Sequence, residues 1–299
     1  MADFSGHIQP LVSVMMPVYN GEKTILLAIS SLFKQTYKNW LCIIVNDGST
    51  DGTRGILDKI TDNRFKIIHL SENVGRGAAR QIALDNSEGE YLAYLDADDF
   101  YHPMKLEKQV KYMEFNPDVA LVSCGQGSFN EHYELKAVRG KGSNKKNQYN
   151  PYKGVKGSYA GSMIRLSKGN MIRYNIKLSA CEDRDFFNRY LGSGLLCVSD
   201  EVLYYYFELG VSSSKKILSY QFEALKNDIF SLRSSLRYSL LNILIRTTKI
   251  IIYIFALPIL GSDFIIKRRG GKPLPIELSE FQKTLNIIRK NINYTKTDI

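Results

Sequence analysis

The sequence predicts an α/β fold, a mainly parallel sheet with flanking helices, followed by a helical C-terminal extension. Three observations predict it. Short apolar or β-branched runs alternate with amphipathic helical stretches between residues 12 and 115. Acidic clusters follow two of those runs, where an open parallel sheet gathers its ligands. Beyond residue 214 the apolar spacing turns helical. With 299 residues, 44% of them hydrophobic and 23% charged, the chain can bury a large core and lies far from disordered compositions.

The strand-length runs fall at residues 12–16, 41–45, 65–70 and 91–95. Between them, 22–34 reads as a helix with Ile25, Ile29, Leu32 and Phe33 on one face, and 51–60 opens with Ser49-Thr50-Asp51 as its cap. A third helix is expected over 75–86, a fourth over 103–115, and a fifth strand over 119–123. The Gly-, Lys- and Asn-rich stretch 139–157 reads as a mobile loop. A helix over 178–191 and a closing strand over 198–207 follow, with Tyr204, Tyr205 and Tyr206 read as strand packing rather than a sugar platform.

From Phe222 a stripe of Leu225, Ile229, Leu232, Leu236 and Ile243 is too short for a coiled coil. The apolar run 250–260 is shorter than the roughly 18 residues of a spanning helix. Arg246, Lys249, Lys267, Arg268 and Arg269 flank it, which suits a helix lying in the interface of an anionic membrane; a buried helix of the same domain is the alternative. The chain is accordingly divided into 1–214 and a basic, helical, membrane-associating region 215–299.

The formal charge of +10 is uneven. Residues 215–299 carry 15 Lys and Arg against 6 Asp and Glu, and residues 135–181 carry 11 basic residues and no acid. The remainder is acidic, so the pattern implies localised contact with phosphates or an anionic membrane and excludes a uniformly basic nucleic-acid coat. For 135–157 a solvated, lysine-rich loop is equally compatible. Cys42, Cys124, Cys181 and Cys197 form no CxxC pair and read as thiols of a reducing compartment. His7, His69, His102 and His132 lack zinc-ligand spacing. Residues 1–10 lack the apolar segment of a secretory signal, so a cytoplasmic location is expected.

Asp96-Ala97-Asp98 carries the sharpest local signal. Two carboxylates two residues apart after a buried strand can share a hard divalent cation, Mn²⁺ or Mg²⁺, whose shell phosphates complete; solvated acids capping a turn are the alternative. Gly75-Arg76-Gly77 is too short to stand as a dinucleotide fingerprint.

In order and spacing, Met16-Pro17-Val18-Tyr19-Asn20, Gln35-Thr36-Tyr37, Val45-Asn46-Asp47-Gly48-Ser49-Thr50-Asp51-Gly52-Thr53, Asn73-Val74-Gly75 with Ala79-Arg80, and Leu95-Asp96-Ala97-Asp98-Asp99 closely resemble the family 2 glycosyltransferases. The resemblance is dense over 11–125 and thins to 214. It implies a GT-A fold, with a Rossmann-like sheet, for the nucleotide-sugar-binding and catalytic domain 1–214. It further implies that Pro17, Val18, Tyr19 and Glu22 line a nucleotide pocket, that Asp47 accepts a hydrogen bond from uracil, and that Arg80 lies near the nucleotide. Asp96 and Ala97 would contact the nucleotide, with Asp96 and Asp98 holding the cation. The family's base corresponds to the pair Glu182-Asp183, Asp183 acting as base and Glu182 orienting; acids that only complement a helix dipole are the alternative. Three departures stand out. Asn46 replaces a first Asp, Gln81 replaces an Asn, and Tyr206-Phe207-Glu208-Leu209-Gly210-Val211-Ser212 lacks the Arg and His that supply a third metal ligand in many relatives.

One base, one metal and no second carboxylate nucleophile suit an inverting displacement from a nucleotide-sugar, a UDP-sugar first, onto a hydroxyl of a glycan. A lipid-diphosphate-linked oligosaccharide at the cytoplasmic face of the inner membrane is the expected acceptor, in O-antigen or capsule assembly. A nucleotidyltransferase is disfavoured, because no glycine-rich, lysine-bearing phosphate loop lies near Val18. A binding scaffold without turnover is the non-enzymatic alternative. An oligomer is compatible with the sequence, and acceptor specificity is expected around Gly161-Ser162-Met163.

Overall fold

The computed structural model describes residues 9–150, 155, 158–169, 172–178, 181–208, 214–230, 236–268 and 270–298. Its centre is one mixed sheet. Strands β1 (Val12–Val18), β2 (Trp40–Asn46), β3 (Phe65–His69) and β4 (Tyr91–Tyr94) are parallel in the spatial order β3-β2-β1-β4, connected by helices α1 (Ile25–Phe33), α2 (Thr53–Leu57) and α3 (Arg76–Asp85). The period of two sorts β1 between two layers. Val12, Val14, Met16 and Val18 pack with Ile25, Leu32 and Leu106, while Met15 joins Ala79, Ala83 and Phe186 on the opposite face.

The second half of the sheet combines one long parallel pair with antiparallel ones. The short strand β5 (Phe100–Tyr101) and helix α4 (Lys105–Phe115) lead into β6 (Val119–Phe129), which hairpins to β7 (Leu135–Arg139). A short β8 (Lys146–Gln148) pairs antiparallel with β10 (Leu195–Phe207). Strand β9 (Met163–Arg165) sits antiparallel between β4 and β6. Two short helices complete this part, α5 (Leu166–Gly169) and α6 (Glu182–Leu191).

Several expectations are corrected here. Strand β6 does not stop at Ser123 but runs on, wholly buried, to Phe129. A Cβ on Gly125 would lie 2.9 Å from the carbonyl oxygen of Glu201, so the residues that break the apolar run are those that admit β10 beside it. The stretch read as a loop from 139 contains β8; residues 151–154, 156 and 157, with Lys153 and Lys156, lie outside the described residues. The cations there serve the fold: Lys146 pairs with Asp118, Arg173 with Asp85, and Arg165 donates to the carbonyls of Met113, Asn116 and Val119. Ser162 and Met163 are fully buried, so they build the core rather than an acceptor loop.

Beyond 213 come α7 (Ser214–Phe230), α8 (Leu236–Arg268) and α9 (Pro275–Asp298). The stripe expected from Phe222 to Ile243 is split between α7 and α8, and Phe222 and Ile229 face outward. The apolar segment is also longer than the run 250–260 suggested. Leu240–Ile259 is 20 residues with mean hydropathy 1.8, long and apolar enough to cross a membrane, and only 17% of it is buried. Helix α9 returns to the sheet, where Phe281, Leu285 and Ile288 pack with Leu27, Phe100, Phe129 and Tyr205. Within 215–299, then, the described residues that stand away from the core belong to α7 and α8.

Candidate active site

The carboxyl ends of β1, β2 and β4 and the starts of α3 and α6 converge on one site. At the end of β2, Asp47 is buried and its backbone N–H donates to the Val18 carbonyl, which aligns it with the Pro17-Val18-Tyr19 segment. Its carboxylate accepts the N–H groups of Val74 (2.7 Å) and Gly75 (3.1 Å), fixing the turn that launches α3. Gly48 follows with φ +65°, and a Cβ there would strike the Glu72 backbone at 2.4 Å. Tyr19 stands half exposed beside this turn, while the Val18 side chain is buried.

Glu22 is not aimed at the same place. It accepts the Gly52 N–H at 3.0 Å while its own N–H donates to Asp51, so the pair fastens the start of α2. The expected capping role of Asp51 is real, since it accepts the Thr53 N–H at 3.0 Å. Asn46 and Gln81, the two departures, also have structural partners. Asn46 meets His69 Nδ1 at 3.0 Å and accepts the Ser49 N–H; Gln81 holds the Tyr174 N–H at 2.6 Å and Asp85 at 2.8 Å.

Arg80 joins the remaining candidates. Its guanidinium, 3% exposed, donates to Asp96 Oδ1 (2.9 Å), Glu182 Oε1 (2.9 Å) and Asp183 Oδ1. Arg76 reaches Glu182 as well, through two hydrogen bonds. Residues far apart in sequence thus share one charged cluster in which two guanidinium groups face three carboxylates. Glu182 is almost wholly buried, whereas Asp183 keeps 26% of its side chain exposed. Cys181, the residue before the pair, adopts φ 61°, a left-handed conformation uncommon outside glycine and asparagine. That turn presents both acids in the first turn of α6, where the helix dipole favours negative charge. Burial raises the Asp183 pKa above the ordinary carboxylate value, with the Arg80 cation opposing and the Glu182 and Asp96 charges adding to the rise.

The Asp96–Asp99 turn is braced from below. Ala97 is buried in the core, so its side chain does not face the site, and Asp98 is exposed. Asp99, fully buried, accepts the Tyr204 hydroxyl at 2.5 Å and the Phe207 N–H at 2.7 Å. Tyr204 OH in turn accepts the Asp96 N–H at 3.3 Å. Glu208, in the segment that departs from the family, lies 3.6 Å from Arg139, and residues 209–213 lie outside the described residues. Among the described residues no group of three or more His, Cys, Asp or Glu side chains is arranged to hold a cation. Asp96 and Asp98 supply two hard oxygen donors, a set that fits Mg²⁺ or Mn²⁺ when a diphosphate completes the shell. Three of the four cysteines are buried and none forms a disulfide.

A sheet with these helices, a carboxylate pair after β4 and an acid pair opening α6 form an arrangement compatible with glycosyl transfer. Residues 13–169 match the family model "Glycosyl transferase family 2", more than half of the chain, and the chain belongs to that family. An Escherichia coli relative, UDP-Glc:alpha-D-GlcNAc-diphosphoundecaprenol beta-1,3-glucosyltransferase WfgD, is 42% identical over 103 residues, covering 34% of this chain and 41% of that protein. The matched stretches span about two-fifths of the length of such curated relatives. Among solved structures, S. aureus TarS 1-349 in complex with UDP-GlcNAc matches with TM-score 0.60 at 19% identity, over 96% of this chain and 87% of that one. The mannosyltransferase PcManGT from Pyrobaculum calidifontis, in complex with GDP-Man and Mn²⁺, matches with TM-score 0.55 at 16% identity, over 97% and 88%. The fold is therefore GT-A.

Proposed function

We propose that this protein transfers a sugar from a UDP-sugar to a hydroxyl of a lipid-diphosphate-linked glycan, with inversion, at the cytoplasmic face of a membrane during assembly of a surface polysaccharide such as O-antigen or capsule. The observation that carries the reading is the Arg80 bridge, which ties Asp96, on the side expected for the nucleotide, to the acid pair 182–183. Family membership and the UDP-Glc and diphosphoundecaprenol in the name of the WfgD relative support the donor and acceptor classes.

In the reaction, the acceptor hydroxyl attacks the anomeric carbon as the bond to the UDP oxygen breaks. Asp183, the exposed member of the pair, takes the hydroxyl proton, and a single displacement inverts the centre. Glu182 holds Arg80 and Arg76 and so orients Asp183 through Arg80. Asp96 and Asp98 would hold Mn²⁺ or Mg²⁺, which neutralises the charge of the departing diphosphate. Pro17, Val18, Tyr19 and Asp47 border the base and ribose side, Glu22 contributing through the α2 loop it caps.

Calorimetric titration with UDP, GDP and dTDP, each with and without Mn²⁺, tests this. Metal-dependent preference for UDP is expected; no nucleoside diphosphate binding under any condition sinks the reading.

A further inference from the structure

The α7–α8 hairpin is turned inside out relative to a water-facing helix pair. Its inner seam is polar: Gln221, Asp228 and Asn242 are buried, and Asp228 forms an ion pair with Arg246 at about one-tenth exposure each. Only a few apolar side chains, among them Ala224, Ile250 and Leu257, share that seam. The outer face of α8 is largely apolar over about four turns. Leu244, Ile251, Ile252, Phe255 and Ile259 fall within about 100° of arc, with Phe255 70% and Ile259 81% exposed. On that side Thr247 and Thr248, both exposed, donate back to the carbonyls of Ile243 and Leu244, an arrangement that also satisfies a hydroxyl where no water is at hand.

Both ends of α8 are fastened to the same catalytic domain. Near its start, Asn242 accepts a hydrogen bond from Arg184 at 3.2 Å. Just past its end, Gly271 exchanges two backbone hydrogen bonds with Val138 (2.9 and 3.0 Å). A helix crossing a bilayer would carry its ends to opposite sides of a hydrocarbon layer about 30 Å thick. Here both ties, at Asn242 and at Gly271, are to that one domain. Lys267, Arg268, Arg269 and Lys272 follow the apolar face in sequence.

We infer that the outer face of α8 docks into an anionic lipid bilayer, lying in the interface without crossing it. The occupant is lipid because an apolar face followed by four cations matches acyl chains beneath anionic headgroups, and because Asp228, Asn242 and Arg246 are turned inward. The helix that docks also touches the start of α6, through Arg184 and through Arg246 beside Cys181, so the bilayer lies on the Asp183 side of the site. The docking surface is independent of the transferase reading; the approach of a lipid-linked acceptor to Asp183 rests on it.

The test is sedimentation of the full chain with vesicles of phosphatidylethanolamine and phosphatidylglycerol (3:1), with phosphatidylcholine vesicles for comparison. Tight binding to the anionic vesicles and at least tenfold weaker binding to the neutral ones are expected. The double variant Phe255→Glu/Ile259→Glu should lose at least tenfold in vesicle binding while UDP affinity stays unchanged, and Phe115→Glu, exposed on α4, should bind as wild type. Release of bound protein by alkaline carbonate supports the interfacial position. Resistance to carbonate, wild-type binding by the double variant, or no binding to the anionic vesicles, with or without a dimer that the double variant abolishes, overturns the inference. Failure to bind UDP with intact vesicle binding would count against the transferase reading alone.

Discussion

Tyr204 donates its hydroxyl proton to Asp99 at 2.5 Å and receives the backbone N–H of Asp96 at 3.3 Å. One phenol thus joins the last long strand of the sheet to the turn that carries the metal-binding carboxylates expected from the sequence. The Tyr204→Phe variant should lose about 1–3 kcal/mol of unfolding free energy, because Asp99 is left buried with one fewer donor. Denaturant titration measures the loss, and UDP titration with Mn²⁺ should show weaker binding as the Asp96 turn loosens.

Asp183 gives a pH signature. Burial raises its pKa and Arg80 opposes the rise, so the acid limb of kcat/KM should lie above the ordinary carboxylate range. Arg80→Gln should push that limb higher still and slow turnover. Asp183→Asn should cut kcat by roughly 10²–10⁴-fold with UDP binding retained. Turnover unchanged in Asp183→Asn would remove the base assignment.

Lys105 is fully buried, over the Tyr101 ring at 4.1 Å and bonded to Gln109 at 2.7 Å, and burial pulls its pKa down to about 8. The unfolded chain holds that proton to about pH 10.4. Between those values the unfolded state binds more protons, so this group makes stability rise with pH, by at most roughly 3 kcal/mol. Lys105→Met should therefore stabilise the protein at pH 7 and lose that advantage near pH 10, as thermal melts across the range will record.

Phe281 on α9 is fully buried against Phe100, Phe129 and Tyr205, with ring centroids 5.1–5.9 Å apart. Phe281→Ala should cost about 3–5 kcal/mol, the scale of a core aromatic, although it lies 74 residues beyond the end of β10. Calorimetric melting tests it.

The first four strands and helices were legible because each is a local pattern: apolar runs of period two, helices of period 3.6, and turns marked by Gly48 and Gly75. The site was legible where residues are adjacent in a motif, as with Asp96-Ala97-Asp98 and Glu182-Asp183. What joins them was not, since Arg80 to Asp183 spans 103 positions and Tyr204 to Asp99 spans 105. Strand β8 escaped notice because Lys146–Gln148 is polar and exposed on every residue, its pairing coming from the backbone alone. Helix α8 read as too short because Arg246-Thr247-Thr248-Lys249 interrupts the apolar count; in three dimensions Arg246 turns inward to Asp228, and the apolar segment continues back to Leu240. Glu22 and Ala97 were placed by motif, and their packing shows one capping a loop and the other filling the core.

Helix α9 also sets an order of events at the ribosome. Phe281, Leu285 and Ile288 complete the core around Phe100 and Phe129, so the sheet edge formed by β5, β6 and β10 keeps an open apolar face until α9 has emerged. Helix α8, with its own apolar face, is made before that edge can close. The apolar face of α8 is therefore presented before the catalytic half is sealed.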